Sequence, residues 1–167
     1  VVYFRGGRVG LGSYRVERVI FWQRQQVRIV PMSTNSSPTG IQLPTNEELV
    51  LKVIPMPADC NANGDIFGGW VMAQVDLAGS VIPARYTQGR MATVAVNEFI
   101  FKQPVRVGDI LSFFSKVSRI GRTSITVKVE VYAERFHSQG QYVKVTEASV
   151  TYVAIDDDGK PREIPKP

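Results

Sequence analysis

One stretch carries residue types able to do chemistry without a cofactor, Asn61 to Asp76, reading NANGDIFGGWVMAQVD. From Trp70 it turns so apolar that a buried helix is expected, yet Asp76 falls in the middle of it. A carboxylate taken out of water is costly unless it is paired or hydrogen-bonded, so it is kept for an interaction, a registry role or catalysis. Its helical neighbours at i−4, i−3, i+3 and i+4 are Met72, Ala73, Gly79 and Ser80. Three of the four are small, so that face accepts a close neighbour, another helix or a ligand chain. The plainest alternative has Asp76 accepting bonds from Ser80 or backbone amides and doing nothing else. Gly68 and Gly69 mark the expected helix start, where the first amides lack internal partners and carry partial positive charge. Such amides can hold a carbonyl oxygen that turns negative under attack, or the two glycines merely fit a tight turn.

Other chemistries drop out. The single histidine, His137, lies in the polar loop ERFHSQGQY, and the single cysteine is Cys60. No Ser-His-Asp or Cys-His arrangement can then be built around the helix, and no thiolate zinc site. No phosphate-loop or dinucleotide glycine pattern opens a helix after a strand. Asp156, Asp157 and Asp158 form a solvated charge run, without the further spaced ligands of a calcium site. No metal and no cofactor is expected.

The elements that must position Asp76 follow from periodicity. Glu48–Ile54 reads as a strand closed by Pro55 and Pro57, and a turn-rich loop follows. A helix is predicted from Gly68 to about Arg85, with Val71, Val75, Ala78 and Ile82 on one face and Trp70, Met72, Leu77, Val81 and Ala84 over much of the rest. That pattern predicts a helix enclosed on most sides, ended or bent at Pro83. The period then changes to two: Thr93–Phe101, Asp109–Arg119, Thr123–Glu134 and Tyr142–Ile155 read as strands, with turn residues between them. One helix with a meander of long antiparallel strands is an α+β plan in which the sheet covers the helix.

The chain has 167 residues and 44% hydrophobic side chains, enough for one domain with a real core. No apolar run approaches the roughly 18 residues of a membrane span. The net charge of +5 is an N-terminal matter: residues 1–31 hold six arginines against Glu17, and the remainder carries equal numbers of acids and bases. The charge therefore gives no reason to expect nucleic-acid binding by the domain. Residues 1–47 read as an arm or leader and 48–167 as the domain. Within it, residues 1–31 read as sequence upstream of a natural start at Met32, an Arg-rich transit peptide, or an ordered extension; none of these assigns them a function. The lone cysteine points to a reducing compartment, the cytoplasm.

The run ADCNANGDIFGGWVMAQVDLAG strongly resembles the motif of hotdog-fold acyl-CoA thioesterases, in particular the YciA-like group. NEFIFKQPVRVGDIL, RIGRTSITVKVEVY and KVTEASVTYVAIDDDGKPREIP resemble the same group in the same order, covering roughly Leu49 to Pro165. The resemblance implies a long helix wrapped by a curved antiparallel sheet, subunits paired edge to edge, and further assembly, often as a trimer of dimers. It implies hydrolysis of acyl-CoA to coenzyme A and a carboxylic acid, with Asp76 as general base or nucleophile and Asn61 reaching in from the neighbouring subunit. The thioester carbonyl is then expected near the Gly69 amide. For the phosphates of coenzyme A, the resemblance points to Gly121-Arg122-Thr123-Ser124, otherwise an ordinary hairpin turn; Lys102 and Arg106 are weaker candidates. Phe67 stands where some hotdog thioesterases carry a histidine. A hotdog dehydratase needs a histidine beside its carboxylate, which this helix lacks, and an acyl-CoA-binding sensor of the same fold is the non-catalytic alternative.

Overall fold

The computed structural model describes residues 41–165; the N-terminal arm through residue 40 lies outside them. Five strands, β1 (Glu48–Val53), β2 (Met91–Phe101), β3 (Ile110–Ile120), β4 (Ser124–Glu134) and β5 (Tyr142–Ala154), form one antiparallel sheet in the order β1-β3-β4-β5-β2. Among the described residues one α-helix, α1 (Gly68–Thr87), crosses its inner face, preceded by a short 3-10 turn at Pro57–Asp59. Strict alternation along β4 puts Ile125, Val127, Val129 and Val131 under the helix, all fully buried. Each contributes roughly 1.5–3 kcal/mol relative to an exposed side chain. Phe113, Val145, Val150 and Tyr152 from the neighbouring strands and Val71, Val75 and Ala78 from α1 complete this core.

Two expectations for the helix change. Pro83 does not end α1, which continues to Thr87 and stops at Gln88 in the left-handed region. Proline forfeits one helical hydrogen bond, but Ile82, Pro83 and Thr87 are all buried and hold the last turn in place. Nor is α1 enclosed on most sides: Met72, Leu77 and Tyr86 are exposed. One five-stranded sheet can cover only one face of a helix.

β2 is an edge strand of 11 residues, interrupted by bulges between Thr93 and Ala95 and between Asn97 and Ile100, with Glu98 at φ 53° in the second. Val94, Val96, Ile100 and Phe101 stay exposed along it. A long, apolar edge is a template for another strand.

Candidate active site

Asp76 is half-buried on the flank of α1 that leans over the β2–β5 ladder. Its Oδ1 accepts from the Thr93 hydroxyl at 2.8 Å and lies 3.2 Å from the Tyr152 hydroxyl. Thr93 and Tyr152 are register partners on adjacent strands, so their side chains leave the sheet on the same face. No hydrogen bond to Oδ2 is made among the described residues. Neither holder stood out in the sequence, where both read as ordinary strand residues; only the pairing of β2 with β5 joins them. The small-residue face beside Asp76 has a different occupant from either expected one. At Gly79 the Tyr152 hydroxyl occupies space that a Cβ would need, at 2.6 Å. Ser80 bonds the Leu77 carbonyl rather than Asp76.

Asn61 lies in the loop before the helix and organises it. Its Oδ1 accepts from the amides of Asn63 (2.8 Å) and Asp65 (3.3 Å), and its own amide reaches the Asp65 carbonyl. An antiparallel bridge from Cys60 to Ile66 closes the loop. With backbone N–H groups fixing the oxygen, the Asn61 Nδ2 donates no hydrogen bond among the described residues. Asn61 and Asp76 share no hydrogen bond within the protomer.

The helix begins with Phe67 as N-cap and no side-chain cap. The Gly69 Cβ position is open, whereas at Gly68 the Phe101 ring comes within 3.1 Å of it. A cleft of about 350 Å³ opens beside Gly68, walled by Ile66, Phe101, Pro104 and Val105. Lys102 lines it but is paired with Glu147 at 2.6 Å. Gly69 and Asp76 stand seven positions apart on α1, about 10 Å along the axis.

Gly121-Arg122-Thr123-Ser124 lies toward the opposite end of α1 and β2. It is the β3–β4 turn, closed by Gly121 N–H to the Ser124 carbonyl at 2.7 Å. Ser124 pairs with Val153 and Ile125 with Tyr152, so the turn leads into the β4–β5 ladder beside the tyrosine that contacts Asp76. The Arg122 guanidinium bonds Glu163 at 3.0 Å, both side chains being mostly exposed. Such a bridge is worth about 0–1 kcal/mol and yields readily to a phosphate. Among the described residues no group of three or more His, Cys, Asp and Glu is placed to hold a metal, and no helix is long and apolar enough to cross a membrane.

Known proteins share this fold and much of this sequence. A family model described as the thioesterase superfamily matches residues 63–137. The acyl-CoA thioester hydrolase YciA of Salmonella typhimurium is 47% identical over 120 residues, 71% of this chain and 90% of that protein. A hexameric thioesterase of Yersinia pestis superposes with a TM-score of 0.70 at 46% identity, over 75% of this chain and all of the other. A hexameric hotdog-fold thioesterase of Campylobacter jejuni gives 0.67 at 43% identity, over 71% and 90% of the two chains.

Proposed function

The chain belongs to the thioesterase superfamily, among the YciA-like acyl-CoA thioester hydrolases, and on that premise we propose how its residues carry out the hydrolysis. The protein is an acyl-CoA thioesterase of hotdog fold. Asp76 is the general base. With Oδ1 tethered to Thr93, Oδ2 takes a proton from water while the water oxygen attacks the thioester carbonyl. The tetrahedral oxyanion collapses, the C–S bond breaks, coenzyme A departs as thiolate, and the proton returns to sulfur or solvent. Direct attack by Asp76 to give an anhydride is the competing version.

The oxyanion donors are the partner's Gly69 amide and the partner's Asn61 Nδ2. The observation that carries this reading is the roughly 10 Å between Gly69 and Asp76 along one helix. Two-fold antiparallel pairing of β2 edges exchanges the ends of the two subunits, bringing one helix start toward the other subunit's Asp76 and Arg122 turn. It also covers the exposed apolar residues of β2. The unit is thus a dimer within a homo-oligomer, and hexameric relatives favour three dimers together. Arg122, with Gly121, Thr123 and Ser124, receives phosphates of coenzyme A; a thioester is already activated, so the chain's own groups suffice for the chemistry. The half-buried, unpaired Cys60 suits a reducing cytoplasm.

Release of coenzyme A from short- to long-chain acyl-CoAs, followed with a thiol reagent, tests the reading. Wild type turns over, and folded Asp76→Asn loses about 10²-fold or more in kcat. A wild type that binds acyl-CoA without cleaving it is a sensor, and the proposal then fails.

A further inference from the structure

We infer that Tyr152 is a positioning residue for Asp76, and that Gly79 is glycine because the Tyr152 hydroxyl needs its space. This rests on Asp76 being the catalytic base. The Tyr152 ring is buried on central strand β5, held between Ile125 of β4 and Thr93 of β2. Its hydroxyl donates to the main-chain carbonyl of Asp76 at 2.7 Å and lies 3.2 Å from Oδ1 of the same residue. One hydroxyl thus contacts both the main chain and the carboxylate of Asp76, where Thr93 contacts only the carboxylate. A rigid β-strand thereby fixes the rotation of a carboxylate carried by a different element.

Gly79 is the other half of the device. It follows Asp76 by three positions, on the same helix face. A Cβ there would stand 2.6 Å from the Tyr152 oxygen and 3.3 Å from Val129 Cγ2. The strand beneath is packed core and cannot retreat. Burial, reinforced by the neighbouring Asp76 charge and hydrogen bond, raises the phenol well above its ordinary range. It therefore stays protonated and serves as donor, not as a second base.

The role separates from mere packing because removing the hydroxyl leaves the ring. Tyr152→Phe should lower kcat about 10- to 100-fold, as misplacement of a reacting group does, with KM within about twofold because the hydroxyl touches no substrate. Gly79→Ala should cost similarly in the wild type but little more in the Tyr152→Phe background, since both remove one contact. Melting temperatures accompany each measurement. Tyr152→Phe with kcat within about twofold of an active wild type, or additive losses in the double variant, overturns the inference alone. So does a lowered melting temperature with unchanged kcat. A wild type with no thioesterase activity overturns both this inference and the reading beneath it.

Discussion

Thr93 and Tyr152 face each other across the β2–β5 ladder, and both hydroxyls converge on one oxygen of Asp76, at 2.8 and 3.2 Å. The carboxylate is presented with one oxygen held and the other available. Thr93→Val keeps the β-branched shape and removes the shorter bond. We expect kcat to fall about 10- to 100-fold with the fold intact, by the same loss of alignment. Steady-state kinetics beside a thermal melt check it; unchanged kcat would free Thr93 of any part in the reaction.

Asp76 and Asn61 should complement each other between subunits. Asp76→Asn and Asn61→Ala are each expected to be nearly inactive alone. Mixed and reassembled in equal amounts, half the dimers pair one of each, and each such dimer regains one intact site, giving about a quarter of wild-type activity. Absence of recovery in verified mixed dimers would place both residues in one subunit's site.

The β2 edge is expected to hold the dimer. Val96 is exposed on that edge. Val96→Asp buries a charge in the proposed seam, so the particle should shrink in analytical ultracentrifugation and activity should fall with it. A full-sized, active variant would move the interface elsewhere.

Arg122 meets the nucleotide end of the substrate in this reading. Arg122→Gln should raise KM for acyl-CoA about 10- to 100-fold, the equivalent of roughly 1.5–3 kcal/mol of charge-assisted bonding. It should leave hydrolysis of an acyl-pantetheine, which lacks the nucleotide, nearly unchanged. Equal effects on both substrates would argue that the turn merely supports the fold.

The outer sheet face carries an ion network sensitive to acid. Burial would raise the Glu130 carboxyl, but bonds from Lys128, Tyr132 and Lys144 outweigh it and hold the group at about 2. Bonds from Lys102 and Lys144 hold Glu147 at about 2 as well. Both lie below the unfolded value of roughly 4.3. Their stabilisation is full above that value and is lost as pH falls toward 2. Thermal melts from pH 6 to pH 2 should show a smaller acid-induced drop for Glu130→Gln than for wild type. Parallel curves would remove Glu130 from the acid response.

Periodicity and residue type are enough to specify the elements. Alternation in TSITVKVEVYAE makes β4, since side chains of a strand point to opposite faces, and the apolar face must find the helix. Residue type also singles out Asp76, because a carboxylate within an apolar helical run demands partners. The identity of those partners emerges only once the strands pair and the helix packs on them. Thr93 and Tyr152 are 59 positions apart in the chain, and strand order alone brings them opposite one another. Gly79 likewise showed itself as a small residue, but its neighbour, a tyrosine hydroxyl rather than a helix or acyl chain, depends on packing across the sheet. Part of the flank of α1 is exposed where the sequence predicts enclosure, because helical periodicity reports which residues are apolar, not which molecule covers them. Whether a face is covered by its own sheet or by another subunit is set by how far five strands can reach around one helix.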